Sequence, residues 1–202
     1  MASPPKIVTT MGPDFIKQLP NFSETLSGTR MEPINFIYFG NQQQIETLFQ
    51  QHDWYKADPS TIFNTLKAIA IAIQNKQYLT GPVTPAYLNS KPEDLAFQQA
   101  TATASFRQRH HTRLWKTDYA LTNGQEIWLA TASFDQGIEL SNSYLPTHRI
   151  DPNIDGERDY ILKSLNITNP KYIQVINPQL GKNGGGDQFF TDGKEAIIDL
   201  SN

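Results

Sequence analysis

The chain of 202 residues contains no cysteine, which excludes disulfides, cysteine nucleophiles and thiolate metal sites but leaves reducing and oxidising compartments equally open. Excess positive charge is also missing. Lys and Arg number 17 against 20 Asp and Glu, a net charge of -3, so no global field gathers nucleic acid and any anion binding must be local. No apolar run reaches the roughly 20 residues of a membrane-spanning helix. The start, "MASPPKIVTTMG", has neither the basic nor the apolar region of a secretory signal, so the chain as it stands is expected to be soluble, with a cytoplasmic location left open. There is no G-x-x-x-x-G-K-[ST] phosphate loop, no G-x-S-x-G elbow and no H-E-x-x-H zinc motif. "GKNGGGD" has glycines and a lysine without the order that cradles phosphate, and it reads as a turn.

What is present suffices for one substantial core, with hydrophobic residues at 38%. Residues 1–32 carry several prolines and little periodicity and read as an irregular arm or linker packing through Phe15, Leu19 and Phe22; residues 33–202 form the domain proper. "INFIYF" (Ile34 to Phe39) is a buried strand, and Gly40 ends it. Ile45, Leu48 and Phe49 then fall at helical spacing behind Asn41 as cap. Asp58 and Pro59 mark the start of a second helix, reaching about Asn75, with Ile62, Phe63, Leu66, Ile69, Ala70 and Ile73 on one side. Its flanks are polar and its apolar stretch of roughly a dozen residues cannot span a bilayer, so no membrane role is expected of it.

Two strands, roughly Thr103 to Tyr119 and Gln125 to Phe134, are joined by "LTNGQ", whose Asn123-Gly124 pair suits the positive φ angles of a tight hairpin. A helix follows with Asp151 as N-cap, Pro152 as first residue and Ile154, Ile161, Leu162 and Leu165 inward. "KYIQVIN" is a strand, and the glycine-rich stretch after it leads to a last edge strand. The order implies an α+β fold: a largely antiparallel sheet with helices packed on one side, an embellished split β-α-β (ferredoxin-like) arrangement. Trp54, Trp115 and Trp128 are expected in the core.

The chemistry concentrates in "RQRHHTRLW" (Arg107 to Trp115). On a strand, Arg109, His111 and Arg113 point to one side, and Gln108, His110 and Thr112 to the other. Cations about 7 Å apart along one strand face repel unless acids or a bound anion oppose them. The partner strand offers Asp135, and "THRIDPNIDGERDY" offers His148, Asp151, Asp155, Glu157, Arg158 and Asp159. If that helix stripe meets the cationic face, one outcome is a structural ion-pair network. Another is a phosphate or carboxylate pocket, with Arg109, Arg113, Asp135, Asp155 and Arg158 as binding residues and His111, His148 and Asp151 available for proton transfer. A metal at His111, His148 and an aspartate is disfavoured because the adjacent arginines repel a cation, so neither metal nor cofactor is expected.

The strings "PVTPAYLNSKPEDLAFQQ", "RQRHHTRLW", "GQEIWLATASFD" and "THRIDPNIDGERDYIL", in that order, resemble the LssY C-terminal domain family of bacteria over roughly residues 32 to 200. In that family the domain often accompanies multi-pass membrane segments, including those of DedA-like or PAP2-phosphatase-like proteins, and other members are anchored or exported. The resemblance implies a cell-envelope setting and a membrane-protein partner or anchor, and it assigns no reaction. Phosphatase chemistry in membrane relatives belongs to their membrane domains. The expected function is therefore an envelope-associated module holding a small anionic ligand and no nucleic acid. The alternatives are a phosphate-ester hydrolase using the Arg/His/Asp cluster, and a purely structural cluster with function elsewhere.

Overall fold

The computed structural model describes residues 4–9, 11–140 and 146–201, with the backbone alone described for 138–140 and 146–148. The N-terminal segment forms β1 (Lys6–Val8), the one-turn α1 (Pro13–Ile16), β2 (Phe22–Glu24) and β3 (Arg30–Pro33). Next come β4 (Phe36–Phe39), α2 (Gln42–Gln50), β5 (Tyr55–Lys56) and α3 (Ile62–Ile73). Two short strands, β6 (Tyr87–Leu88) and β7 (Lys91–Pro92), precede β8 (Leu95–Ala100) and the long hairpin of β9 (Arg109–Leu121) and β10 (Glu126–Leu140). The chain ends with β11 (Pro146–Ile150), α4 (Ile154–Ser164), β12 (Lys171–Gln174), β13 (Gln179–Lys182), β14 (Gln188–Thr191) and β15 (Lys194–Asp199).

The fold is α+β. Nine strands form the main sheet in the order β12-β15-β4-β10-β9-β8-β5, with β1 beside β9 and β11 beside β10; β3-β2-β6-β7 and β13-β14 are separate small sheets. The pairs β4–β10, β10–β9 and β9–β8 are antiparallel, so β10 lies between β4 and β9 as in a split β-α-β unit. The last strand is not at the edge. β15 inserts between β12 and β4, parallel to β4, and the glycine-rich stretch before it folds as the β13–β14 hairpin. At the β9–β10 turn only Gly124 has a positive φ (86°), and its N–H donates to Leu121 O, the pattern of a type I turn closed by a left-handed glycine.

Both faces of the main sheet are covered, which is why all four residues of β4 are buried. Phe36, Tyr38, Trp128 and Leu114 face α2 and α4, packing with Phe49, Trp54, Ile161 and Leu162. Ile37, Phe39, Trp115 and Leu129 face the other way, against Ile16 and Leu19. The N-terminal arm is therefore a folded layer rather than irregular chain, and helices lie on both faces rather than one. All three tryptophans are 1% exposed.

The caps divide. Asn41 and Gln44 form a reciprocal capping box on α2, as read. The caps of α3 and α4 are Thr61 and Asn153 instead of Asp58 and Asp151. Asp58 accepts from the hydroxyls of Tyr78 and Thr80, and Asp151 from Gln136 Nε2 and the Asn153 N–H. The apolar side of α3 is turned outward: Ile62, Phe63, Leu66 and Ile73 are 84%, 75%, 61% and 72% exposed. What α3 buries is Ala68 and Ala72, small enough to let it sit against Tyr78 and Phe106.

Candidate functional site

Alternation along β9 places Arg109, His111 and Arg113 on the face that carries Trp115, so this face turns from apolar to charged along its length. Antiparallel register sets Asp135, Ser133 and Thr131 of β10 opposite them, and Ala100, Gln98 and Ala96 of β8 on the other side. Arg109, His111, Arg113 and Asp135 are all buried. Arg109 Nε donates to Asp135 Oδ2 at 2.9 Å, and its Nη1 donates to Gln98 Oε1 at 2.7 Å and Pro82 O at 3.1 Å. His111 Nδ1 lies 3.6 Å from Asp135 Oδ1. Arg113 Nε donates to Thr84 O at 2.9 Å, while its Nη1 stands 3.9 Å from Glu32 Oε2 on β3.

These side chains hold the segment between α3 and β6 with its carbonyls turned inward. Gln98 Nε2 donates to Tyr78, Leu79 and Gly81 carbonyls, and Ser60 Oγ to that of Val83. At Gly81 the approach is so close that a Cβ would lie 2.2 Å from the Phe106 ring. Phe106 in turn stacks under the Arg109 guanidinium, 4.2 Å from its centroid. Burial pulls the Arg109 pKa down and Asp135 opposes that; a guanidinium keeps its proton in proteins. Burial likewise raises the Glu93 carboxyl, opposed by Arg113.

The helix expected over this face covers the other one. α4 packs where β9 presents His110 and Leu114, so the acids of the "DPNIDGERD" stretch do not compensate Arg109 and Arg113. Asp135, Glu32 and Glu93 do so instead. Arg158 and Asp155 belong to a separate cluster fastening α4 to β14 and β15. There Arg158 Nη1 donates to Asp192 Oδ1 and Lys194 O, both at 2.9 Å, and Asp155 accepts from the Thr191 hydroxyl at 3.0 Å. Asp151, just after β11, accepts from Gln136 of β10 and makes no hydrogen bond or ion pair with Arg109 or Arg113 among the described residues. The side chain of His148 lies outside the described residues.

A third cluster escaped the sequence reading. On the α4 face the His110 ring stacks on Tyr160 at 3.7 Å, and its Nδ1 lies 2.8 Å from Glu157 Oε2. Burial pushes the Glu157 carboxyl up to about 7 against the pull of His110. The signal was the same alternation that selected Arg109: it sends His110 to the opposite side, where Glu157 on the facing helix was the available acid.

Beside the buried cluster, α3 and residues 82–85 enclose a cleft of about 630 Å³. Its walls are apolar (Ala68, Ile69, Ala72, Ile73, Val83, Phe106), and Arg107 and Arg109 are its only charged lining residues among those described. Arg107 Nε donates to Ala72 O at 2.8 Å, steadying the carboxyl end of α3. The bonds of Arg109 to Asp135, Gln98 and the loop engage Nε and Nη1, and Nη2 makes no hydrogen bond among the described residues. Of the candidate binding and proton-transfer residues whose side chains are described, only Arg109 lines this cleft, and it is joined there by Arg107. No group of three or more potential metal ligands occurs among the described residues, and no helix there is long and apolar enough to cross a membrane.

No curated protein and no solved structure matches the chain. One family model, described as LssY C-terminus, matches residues 16–194, from the last residue of α1 to the first of β15, so it takes in about half of the segment read as an arm. With its fold and its buried Arg/His/Asp cluster, the chain belongs to the LssY C-terminus family.

Proposed function

We propose that this domain is an envelope-associated binding module for a small amphiphilic anion, a carboxylate or phosphate bearing an apolar body. The observation that carries the reading is the cleft under α3: apolar walls, two arginines and, among the described residues, no carboxylate in its lining. A pocket of this size with few convergent polar groups suits a ligand whose body is desolvated while its head is fixed. A guanidinium supplies the planar donor edge that carboxylates and phosphates accept. The envelope setting rests on the family resemblance alone.

Two alternatives stand beside this reading. Arg109 paired with Asp135 and holding Gln98 and two loop carbonyls is also what a structural lock looks like, and it serves as one whether or not the cleft is filled. A phosphate-ester hydrolase needs a proton-carrying side chain at the ligand. Among the described residues no histidine or carboxylate lines the cleft, and His111 is 2% exposed, which favours binding over turnover.

The test is a charge series at constant chain length. Dodecanoate and dodecyl phosphate should bind saturably, dodecanol at least tenfold more weakly, and inorganic phosphate hardly at all. Arg107→Gln, at a half-buried position with no carboxylate partner among the described residues, should weaken the two anions and leave dodecanol unchanged. Equal affinity for dodecanol and dodecanoate, or no binding of either, rejects the proposal. Release of phosphate from dodecyl phosphate by the wild-type protein, lost in His111→Gln, would establish the hydrolase instead.

A further inference from the structure

α3 contradicts the usual placement of an amphipathic helix, whose apolar stripe faces the core. Here Ile62, Phe63, Leu66, Ile69 and Ile73 are exposed, and the buried contacts are made by Ala68 and Ala72. Five large apolar side chains on one helix, in a protein of mean composition, mark an interaction surface. The question is what covers them.

Charge narrows the answer. The chain is net acidic, yet residues 59–92, which hold α3 and the segment behind it, contain Lys67, Lys76 and Lys91 and no Asp or Glu. Lys67 lies within the helix, Lys76 just beyond its end, and Arg107 is anchored on the carbonyls of Ala72 and Ile73. The nearest acid before the helix, Asp58, is bonded to Tyr78 and Thr80. The charged side chains on and just after the helix, Lys67 and Lys76, are thus cations, while Lys91 is paired with Asp94.

Area narrows it further. A stable protein interface buries roughly 800 Å² of accessible surface per partner, and the five exposed side chains of this single 12-residue helix would need neighbouring surface to reach it. Insertion into a bilayer interface has no such threshold. It requires an apolar face, a cationic rim and a helix lying in the plane.

We infer that α3 is a membrane-surface docking element: it lies in the interface of an anionic bilayer with Ile62, Phe63, Leu66, Ile69 and Ile73 among the acyl chains and Lys67 and Lys76 at the headgroups. The helix is too short to span and does not need to. This inference stands without the ligand reading, although Ile69 and Ile73 also line the cleft, so that its mouth opens beside the docked surface.

The experiment is cosedimentation of the protein with vesicles of equimolar phosphatidylglycerol and phosphatidylcholine, and with pure phosphatidylcholine. The expected result is preferential binding to the anionic vesicles, weakened by high salt, together with a blue shift in the Phe63→Trp variant. Phe63→Asp and Leu66→Asp, both at exposed positions, should each lower partitioning at least tenfold. Phe63 does not line the cleft, so Phe63→Asp should leave dodecanoate binding intact; that separates failure of docking from failure of the ligand reading. Absence of vesicle binding overturns the inference. So does concentration-dependent self-association that Leu66→Asp abolishes in a protein indifferent to vesicles, which would make the occupant a second copy of the chain.

Discussion

Replacing Arg109 by alanine removes the centre of the buried cluster, and the cost can be worked from its contacts. The ion pair to Asp135 Oδ2 at 2.9 Å is lost, as are donations to Gln98 Oε1 and the carbonyls of Gly81 and Pro82. Asp135, 2% exposed, then carries a charge without that cation, and breaking one side of a buried pair costs about 3–5 kcal/mol. At about 2–4 °C per kcal/mol for a domain of this size, melting should fall by roughly 6–20 °C. Urea unfolding followed by tryptophan fluorescence reads this directly, since all three tryptophans are buried in the folded state. The deficit should shrink in acid. Protonating Asp135 there removes the buried charge that has lost its partner cation. Arg109→Met combined with Asp135→Leu should recover only part of the loss: it removes the unbalanced charge, but Gln98 Oε1 and the Gly81 and Pro82 carbonyls still lack the Arg109 donor. A loss below about 1 kcal/mol at pH 7 in Arg109→Ala would show that the cluster is not a lock.

Gly81→Ala drives a Cβ to 2.2 Å from Phe106, and overpacking of this kind should cost about 1–3 kcal/mol in urea titrations; a neutral outcome would mean that the loop is free to move away. Glu195 is buried, and burial pushes its carboxyl up to about 8. Its protonated form is favoured in the fold, so its contribution is complete below about pH 4.5 and is lost as pH rises towards 8, a swing on the order of 4 kcal/mol. Glu195→Gln should flatten that decline and raise the urea midpoint at pH 9; an unchanged slope between pH 5 and 9 would remove Glu195 as its cause. Phe63→Asp, at a position 75% exposed, should shift stability by no more than about 0.5 kcal/mol in solution, whereas a core-facing Phe63 would make it severely destabilising.

Local chemistry was legible where local rules decide. The β9–β10 hairpin follows from Asn123-Gly124, the α2 cap from Asn41 and Gln44, and the segregation of Arg109, His111 and Arg113 from His110 follows from strand alternation. Failures begin where a residue has competing partners. Asp58 and Asp151 are good caps by type, but Tyr78, Thr80 and Gln136 engage their carboxylates. Periodicity located the stripe of α3 without showing which side packs; close approach through Ala68 and Ala72 reversed the usual choice. Non-local pairing was out of reach altogether. The insertion of β15 between β12 and β4, and the docking of α4 on the His110 face, depend on sheet order rather than on residues nearby in sequence. That docking is why Arg158, legible as a buried cation, serves a different cluster from Arg109.

The central claim is that the cationic strand, although locked by its own carboxylates, still offers guanidinium to an anion through the cleft behind α3. A crystal structure of the protein with dodecanoate tests this most directly. The account predicts the carboxylate within hydrogen-bond distance of Arg107 or Arg109 Nη2 and the alkyl chain between α3 and residues 82–85; density on the His110 face, or an empty cleft at saturating ligand, would contradict it.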